Sequence, residues 1–153
     1  MKQLFIKQTQ LPDSAQAVYD WHMQPGAFER LNPPWEKVSI HPANAEIKNG
    51  SQVELLIGSG PIKIKWLAEH CDVDPGKGFT DFQVRGPFKY WRHRHEFVNN
   101  SQGCLLTDKI EYELPFDFLI PFGDFFVRQK LKRMFDYRHK VTQADLGLRF
   151  SRG

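Results

Sequence analysis

Cysteine is scarce in this 153-residue chain, which contains only Cys71 and Cys104. Two cysteines are too few for a disulfide framework, and no second pair offers the ligand spacing of a zinc site. The sequence also lacks a long hydrophobic run, because no stretch approaches the roughly 18 apolar residues that a membrane-spanning helix needs. We therefore expect no integral membrane segment and a cytoplasmic location, since a reducing compartment suits two free thiols.

The chain also has no large excess of either positive or negative charge. The chain has 21 basic and 18 acidic residues, which leaves a formal net charge of +3, and the Lys and Arg residues are dispersed. Proteins that bind nucleic acid usually present a concentrated basic patch, so we expect no nucleic-acid partner. Internal repeats and interdomain linkers are absent too. The length suits one domain, which we place at residues 1–145, followed by a disordered tail at 146–153.

Aromatic residues are abundant, with 13 Phe, 4 Trp and 4 Tyr, and several lie in a histidine-containing segment at 86–97. Successive side chains of a strand point to opposite faces, so alternate residues of this segment share one face. That face would carry Trp91, His93, His95 and Phe97. An apolar surface with a few hydrogen-bonding groups is typical of a small-molecule pocket, and the segment therefore predicts a binding cavity.

Turn residues divide the chain after residue 38 into six extended segments, which predicts an antiparallel meander. A shorter strand and two short helices precede the meander, and a long amphipathic helix follows it. The predicted strands cover residues 4–8, 39–46, 52–57, 62–73, 79–85, 90–99 and 104–114. The predicted helices begin after a cap at Asp13 or Ser14, cover residues 27–31, and run from about Asp124 to Ala144.

The spacing between the last two predicted strands sets a register. If residues 100–103 form a hairpin loop, then His95 lies opposite Asp108, and Trp91 lies opposite Tyr112. A carboxylate that orients an imidazole favours two interpretations, a general base for proton transfer and a buried polar pair whose members satisfy each other. The catalytic residues stay unassigned, with His95 and Asp108 as the candidates.

A metal site is the third interpretation of these residues. His93 and His95 lie two residues apart on one face of a strand, and Asp108 offers an oxygen ligand. The other four histidines, at positions 22, 41, 70 and 139, are scattered along the sequence. We therefore predict no metal and no cofactor, because the motif lacks its second half.

The long C-terminal helix has an apolar stripe that includes Leu131, Met134 and Phe135, and we expect this stripe to cover the sheet. Arg138 has mainly basic neighbours, so we expect a surface group or one that complements the helix dipole, in preference to an anchor for an anion. Five Phe residues lie at positions 116–126, just before the stripe. Three interpretations of this run stay open: a roof over the cavity, then a homodimer contact, then peripheral contact with a membrane surface.

Several short motifs match a known family. They are Trp21-His22, Pro25-Gly26, Arg30-Leu31, Pro33-Pro34-Trp35, Gly86-Pro87-Phe88, Leu114-Pro115-Phe116 and Phe135-x-Tyr137-Arg138-His139. With the order of elements, they resemble the START and polyketide-cyclase superfamily, SRPBCC, and in particular its bacterial ligand-binding proteins. Some of those proteins occur beside or fused to nucleotide-sugar-epimerase-like proteins. The resemblance covers about residues 1–141.

The resemblance implies an α+β helix-grip fold. In that fold a curved, antiparallel, seven-stranded sheet wraps around a long C-terminal helix, and two short helices follow the first strand. It also implies a cavity between sheet and helix that binds a hydrophobic small molecule of the lipid, sterol or polyketide kind. The predicted ligand-binding residues are Trp66, Trp91, His93, His95, Asp108, Tyr112, Met134 and Phe135.

Catalytic residues are not shared across this superfamily, so the resemblance does not specify a reaction. We favour a carrier that is non-catalytic or weakly catalytic. The first alternative is a cyclase- or dehydratase-type enzyme that uses the His95 and Asp108 pair for proton transfer. The second alternative is a docking module that binds a second copy of the chain or an epimerase-like protein through the aromatic run.

Overall fold

The computed structural model describes residues 1–43, 45–116 and 120–150. Its strands are β1 (Gln3–Leu11), β2 (Val38–His41), β3 (Gln52–Ile57), β4 (Ile64–Asp74), β5 (Gly78–Arg85), β6 (Tyr90–Asn100) and β7 (Gly103–Glu113). Its helices are α1 (Ala15–Met23), α2 (Ala27–Leu31) and α3 (Ile120–Phe150). The seven strands form one antiparallel sheet in the order β1-β7-β6-β5-β4-β3-β2. The sheet and the long C-terminal helix α3 form the predicted helix-grip fold.

The two short helices have clear local causes. The side chain of Ser14 accepts a hydrogen bond from the backbone N–H of Ala17 at 3.2 Å, and this cap starts α1. Gly26 adopts a φ of 85° between α1 and α2, a conformation that favours glycine. Pro33 follows Asn32 and prevents α2 from continuing, because proline excludes helical geometry in the residue before it.

The register of β6 and β7 confirms the prediction. His95 pairs with Asp108, His93 with Ile110, and Trp91 with Tyr112. The loop itself is tighter than predicted, because Asn100 and Gly103 already pair across the ladder. Gly103 is required here, since its φ is 124° and a Cβ atom would lie 2.2 Å from the Leu11 carbonyl oxygen.

Two predicted elements differ most from the structure in their bounds. The strand predicted at 39–46 ends at His41, because Pro42 has no N–H to donate to the ladder; Asn44 lies outside the described residues. The helix predicted from Asp124 to Ala144 runs from Ile120 to Phe150. Residues 146–150 are therefore helical, where a disordered tail was expected, and residues 151–153 lie outside the described part of the chain.

The core forms two clusters of buried side chains. The first lies where α1 meets the sheet and includes Val18, Tyr19, Phe97 and Leu106. The second joins the sheet to α3 and contains Trp91, Ile110, Tyr112, Leu131 and Phe135. Trp91, His93 and His95 are buried on the face of β6 that carries this core, whereas Arg92 pairs with Asp72 on the opposite face. No helix within the described residues is long and apolar enough to cross a membrane.

Candidate ligand-binding cavity

A cavity of about 560 Å³ lies between the inner face of the sheet and α3. Alternate residues of β3 form part of its wall, namely Val53, Leu55 and Ile57, because every second side chain of a strand faces the same side. Segments around α1 and α2 line it as well. The sheet, the short helices and the long helix thus all contribute to the cavity wall, most of which is apolar.

Six of the eight predicted ligand-binding residues line this cavity. They are Trp66, Trp91, His93, His95, Met134 and Phe135. Tyr112 is fully buried in the packed cluster, and its hydroxyl donates a hydrogen bond to Asp124 at the start of α3. Asp108 lies behind the histidines and lines a much smaller pocket of about 10 Å³. These two residues therefore lie behind the cavity wall and do not line the cavity.

Asp108 accepts hydrogen bonds from the sheet and from α3. Its Oδ1 is 2.7 Å from Nε2 of His93, and its Oδ2 is 2.7 Å from Nε2 of His139. Nδ1 of His95 also lies 2.8 Å from Oδ1, although its angle does not meet hydrogen-bond geometry. His139 is fixed on its other side by Thr9 of β1, whose Oγ1 is 2.7 Å from Nδ1. The Asp108 carboxylate of β7 therefore forms hydrogen bonds with both β6 and α3.

Asp81 is a second carboxylate in the same cluster, and it is partly buried. Its Oδ1 is 2.6 Å from Nδ1 of His70, and its Oδ2 is 3.0 Å from Nε2 of His95. Both nitrogens of His95 thus face carboxylates, with Asp108 on one side and Asp81 on the other. We call Asp81, Asp108, His70, His93, His95 and His139 the histidine-aspartate network.

The histidines at this site differ in pKa. Burial lowers the pKa of His95, but the charges of Asp108 and Asp81 and the hydrogen bond to Asp81 outweigh burial and raise it to about 9. Burial and the neighbouring charge of His95 lower the pKa of His93. The same two causes lower the pKa of His22, on α1, to about 4. At neutral pH, His95 is therefore an imidazolium, and His22 and His93 are neutral.

Both carboxylates are ionised at neutral pH. Burial acts to raise the pKa of Asp108, but the charge of His95 and hydrogen bonds from His139 and His93 hold it well below its usual range. Hydrogen bonds from His70 and His95 overcome burial in the same way and lower the pKa of Asp81. The network is an alternating arrangement of two carboxylates with a protonated histidine between them.

This arrangement does not suit His95 as a general base. A base needs an unprotonated nitrogen that faces the substrate, and both nitrogens of His95 face carboxylates. His93 is neutral and lines the cavity, and its Nδ1, 3.9 Å from Asp81, forms no hydrogen bond in the described part of the chain. His93 is the network member best placed to exchange a proton with a ligand.

Three residues of this cluster are also close enough together to bind a metal ion. Asp81, His93 and His95 each offer one ligand atom, and these atoms lie within 4.8 Å of one another. The charge on His95 opposes such a site, because an imidazolium has no lone pair to offer a metal.

Sequence reasoning missed Asp81, His70 and His139. His70 and Asp81 pair directly across β4 and β5, and Asp81 pairs with His93 across β5 and β6. The strand register was therefore the signal that would have found Asp81. For His139 the signal was helical spacing, since it follows Phe135 of the apolar stripe by four residues. His41 alone among the six histidines is exposed and outside this region.

Arg138 is not the surface group that its basic neighbours suggested. Its side chain lines both the main cavity and the small pocket beside Asp108. The reason is geometric, because residues three apart on a helix share a face and Phe135 faces the sheet. The Nε atom of Arg138 is buried.

The phenylalanines that the structure describes in the run before the stripe do not form a roof over the cavity. Phe116, Phe122, Phe125 and Phe126 are 55%, 76%, 58% and 68% exposed, and none of them lines the cavity. Phe118 lies outside the described residues. The exposed Phe side chains leave a dimer contact or a membrane contact as the open interpretations of this surface.

Comparison with known proteins agrees with the fold. A family model described as "Polyketide cyclase / dehydrase and lipid transport" matches residues 11–136. No curated protein sequence matches the chain. Among solved structures, a protein from Thermus thermophilus is 14% identical with a TM-score of 0.68, and the match covers 94% of this chain and 95% of that one.

Two further structures have informative descriptions. Norcoclaurine synthase from Thalictrum flavum, in complex with dopamine and hydroxybenzaldehyde, is 15% identical with a TM-score of 0.68, covering 96% of this chain and 88% of the synthase. The nucleoside-diphosphate sugar epimerase from Corynebacterium glutamicum is 28% identical with a TM-score of 0.66. That match covers 94% of this chain and 29% of the epimerase, so this chain corresponds to one part of the larger protein.

Proposed function

The chain belongs to the polyketide cyclase / dehydrase and lipid transport family, and we propose that it binds one hydrophobic small molecule between the sheet and α3. The observation that carries this proposal is the cavity of about 560 Å³, whose volume lies in the usual range for small-molecule sites. Its walls combine aliphatic and aromatic side chains with a few polar groups. Apolar walls favour an apolar ligand, because binding removes both surfaces from water.

A matched pair of substitutions on β3 tests this proposal. Leu55 faces the cavity, whereas its neighbour Leu56 points to the other face of the sheet. We expect Leu55→Trp to narrow the cavity and to weaken binding of the neutral dye Nile red, measured by fluorescence titration. Leu56→Trp is the control and should bind the dye with an affinity close to that of the unmodified protein. Equal dye binding by both folded variants would contradict a ligand site in this cavity.

A second candidate function is proton transfer on the bound molecule. The observation that favours it is the neutral His93 on the cavity wall, connected through Asp108 to the charged His95. Exchange of the acidic C–H protons of a small β-diketone in D2O, followed by NMR, tests this candidate. We expect catalysed exchange that His93→Gln removes and that His41→Gln, an exposed histidine, leaves unchanged. Exchange at the buffer rate would exclude this chemistry for such substrates.

Docking to an epimerase-like protein is a third candidate. It is favoured by the similarity of this chain to one part of the Corynebacterium glutamicum epimerase. Calorimetric titration of the chain into that epimerase, with its similar segment deleted, tests it. Saturable binding that Phe122→Ser weakens would support docking through the exposed aromatic residues, and no heat of binding would count against it.

A further inference from the structure

Arg138 is the one cation on the inner side of α3 whose charge has no protein partner in the described residues. Its Nε atom is buried and unpaired, and no carboxylate or carbonyl of the described chain accepts a hydrogen bond from the guanidinium. The ring of Phe135 lies 5.1 Å from Cζ, a cation–π contact that leaves the N–H groups of the guanidinium without an acceptor. Burial lowers its pKa, which expresses the unfavourable environment of the charge.

Four neighbouring cations of α3 have a partner, and Lys140, which has no ion pair in the described residues, is exposed to solvent. Arg128 pairs with Asp124 at 2.8 Å, Lys130 with Glu36 at 3.3 Å, and Lys132 with Asp136 at 2.7 Å. Arg133 stacks on the ring of Trp35, 4.2 Å away. The missing partner of Arg138 is therefore a property of its position on the cavity wall and not of the helix as a whole.

The charges around Arg138 limit what can pair with it. The histidines of the network already donate hydrogen bonds to Asp81 and Asp108, so these carboxylates have protein partners of their own. Both carboxylates, with Glu36, remain near enough to act on the charge of Arg138. They would repel a doubly charged group such as a phosphate more strongly than a singly charged one. A carboxylate has one charge and two acceptor oxygens, which match the fork of a guanidinium.

We infer that the ligand of this cavity is an amphipathic acid, with its apolar body against the aliphatic and aromatic wall and its carboxylate on the guanidinium of Arg138. This inference rests on the proposed binding function and specifies its ligand class. The carboxylate supplies the acceptor that the described protein does not, and the apolar wall accounts for the rest of the molecule.

Displacement of Nile red by two ligands of equal chain length tests the inference. Dodecanoate and dodecan-1-ol differ only in the head group, and both are titrated at pH 7.5 below their aggregation concentrations. We expect the unmodified protein to bind dodecanoate about 10-fold to 100-fold more tightly than dodecanol, the range for hydrogen bonds to a charged group. Arg138→Gln should remove that preference and change dodecanol affinity by less than about 2-fold.

Two further variants separate the role of Arg138 from general effects. Lys140→Gln removes an exposed cation of the same helix and should preserve the preference for the acid. Arg138→Lys keeps the charge without the fork and should retain part of it. An unmodified protein that binds dodecanol as tightly as dodecanoate would overturn the inference and leave the binding function intact. Failure of Nile red and both ligands to bind would instead contradict the binding function itself.

Discussion

Replacing Asp108 with Asn tests the network most sharply, because the change keeps the shape of the side chain and removes its charge. The carboxylate accepts hydrogen bonds from His93 and His139 and faces the protonated His95 at 2.8 Å. An amide has only one acceptor oxygen, so at least one histidine N–H would face an NH2 group. A buried donor without a partner costs about 1–3 kcal/mol.

The loss of charge makes the total larger than that of one unpaired donor. Removing one partner of a buried ion pair typically costs about 3–5 kcal/mol, because the remaining charge is left uncompensated. Asp81 still faces His95, so we expect a total near the lower end, about 3 kcal/mol at pH 7. For a chain of this size the same loss lowers the melting temperature by roughly 6–12 °C.

Urea denaturation at pH 7, followed by circular dichroism, measures this loss. The matched control is Glu111→Gln on the same strand, since Glu111 lies on the solvent face and pairs at 3.6 Å with a partly exposed Arg92. Exposed pairs contribute little, so the control should change stability by less than about 0.5–1 kcal/mol. Equal free energies of unfolding for the two variants would refute the burial and the pairing of Asp108.

The pH profile of stability, the end of α3 and the Tyr112 hydroxyl give three further predictions. Stability should be highest near pH 6.5. Because the pKa of His95 is raised, its contribution is complete below about pH 6.5 and is lost as pH rises through about 9. Because the pKa of His22 is lowered, stability is lost as pH falls from about 6.5 toward about 4. Urea midpoints from pH 4 to pH 10 check this, and an alkaline arm that His95→Gln leaves equally steep would contradict it. Gly147→Ala should stabilise the protein by about 1 kcal/mol, because this glycine is helical and has open space around it. Leu146→Ala should destabilise the protein by about 2–5 kcal/mol, because this leucine is fully buried. Neither urea midpoint would move if residues 146–150 were disordered. Tyr112→Phe should lower stability by about 1 kcal/mol through the lost hydrogen bond to Asp124 while Nile red affinity stays unchanged, and a matching loss of affinity would place Tyr112 on the cavity wall.

The sheet was predictable from sequence because its signals are local. Strands alternate with period two, and the hairpin between β6 and β7 fixes which residues face each other, so His95 and Asp108 were placed correctly. The ends of α3 were not predictable in the same way. Proline is tolerated in the first turn of a helix, so Pro121 did not mark a break, and Gly147 did not mark an end. Buried Leu146 continues the stripe and holds this last part of the helix in place.

The site was only half predictable because it joins residues that are far apart in sequence. Asp81 is brought to His70 and His93 by the pairing of three strands, and no spacing within one segment reports such a contact. His139 reaches Asp108 from α3 across the core. The prediction for Arg138 was wrong for a related reason. Its basic neighbours indicated a solvent-exposed position, but its position along the helix places it on the face that lines the cavity.

The central claim is that the cavity between the sheet and α3 binds a hydrophobic molecule, and the methionine methyl groups test it most directly. The chain has 3 Met residues, so a spectrum of methyl-labelled methionine contains few signals. Met23 and Met134 line the cavity, whereas Met1 is 79% exposed at the surface. On titration with dodecanoate, we predict saturable shifts of the Met23 and Met134 signals at one equivalent and no shift of Met1. Unmoved signals from both cavity methionines, in protein that remains folded, would contradict the proposed function.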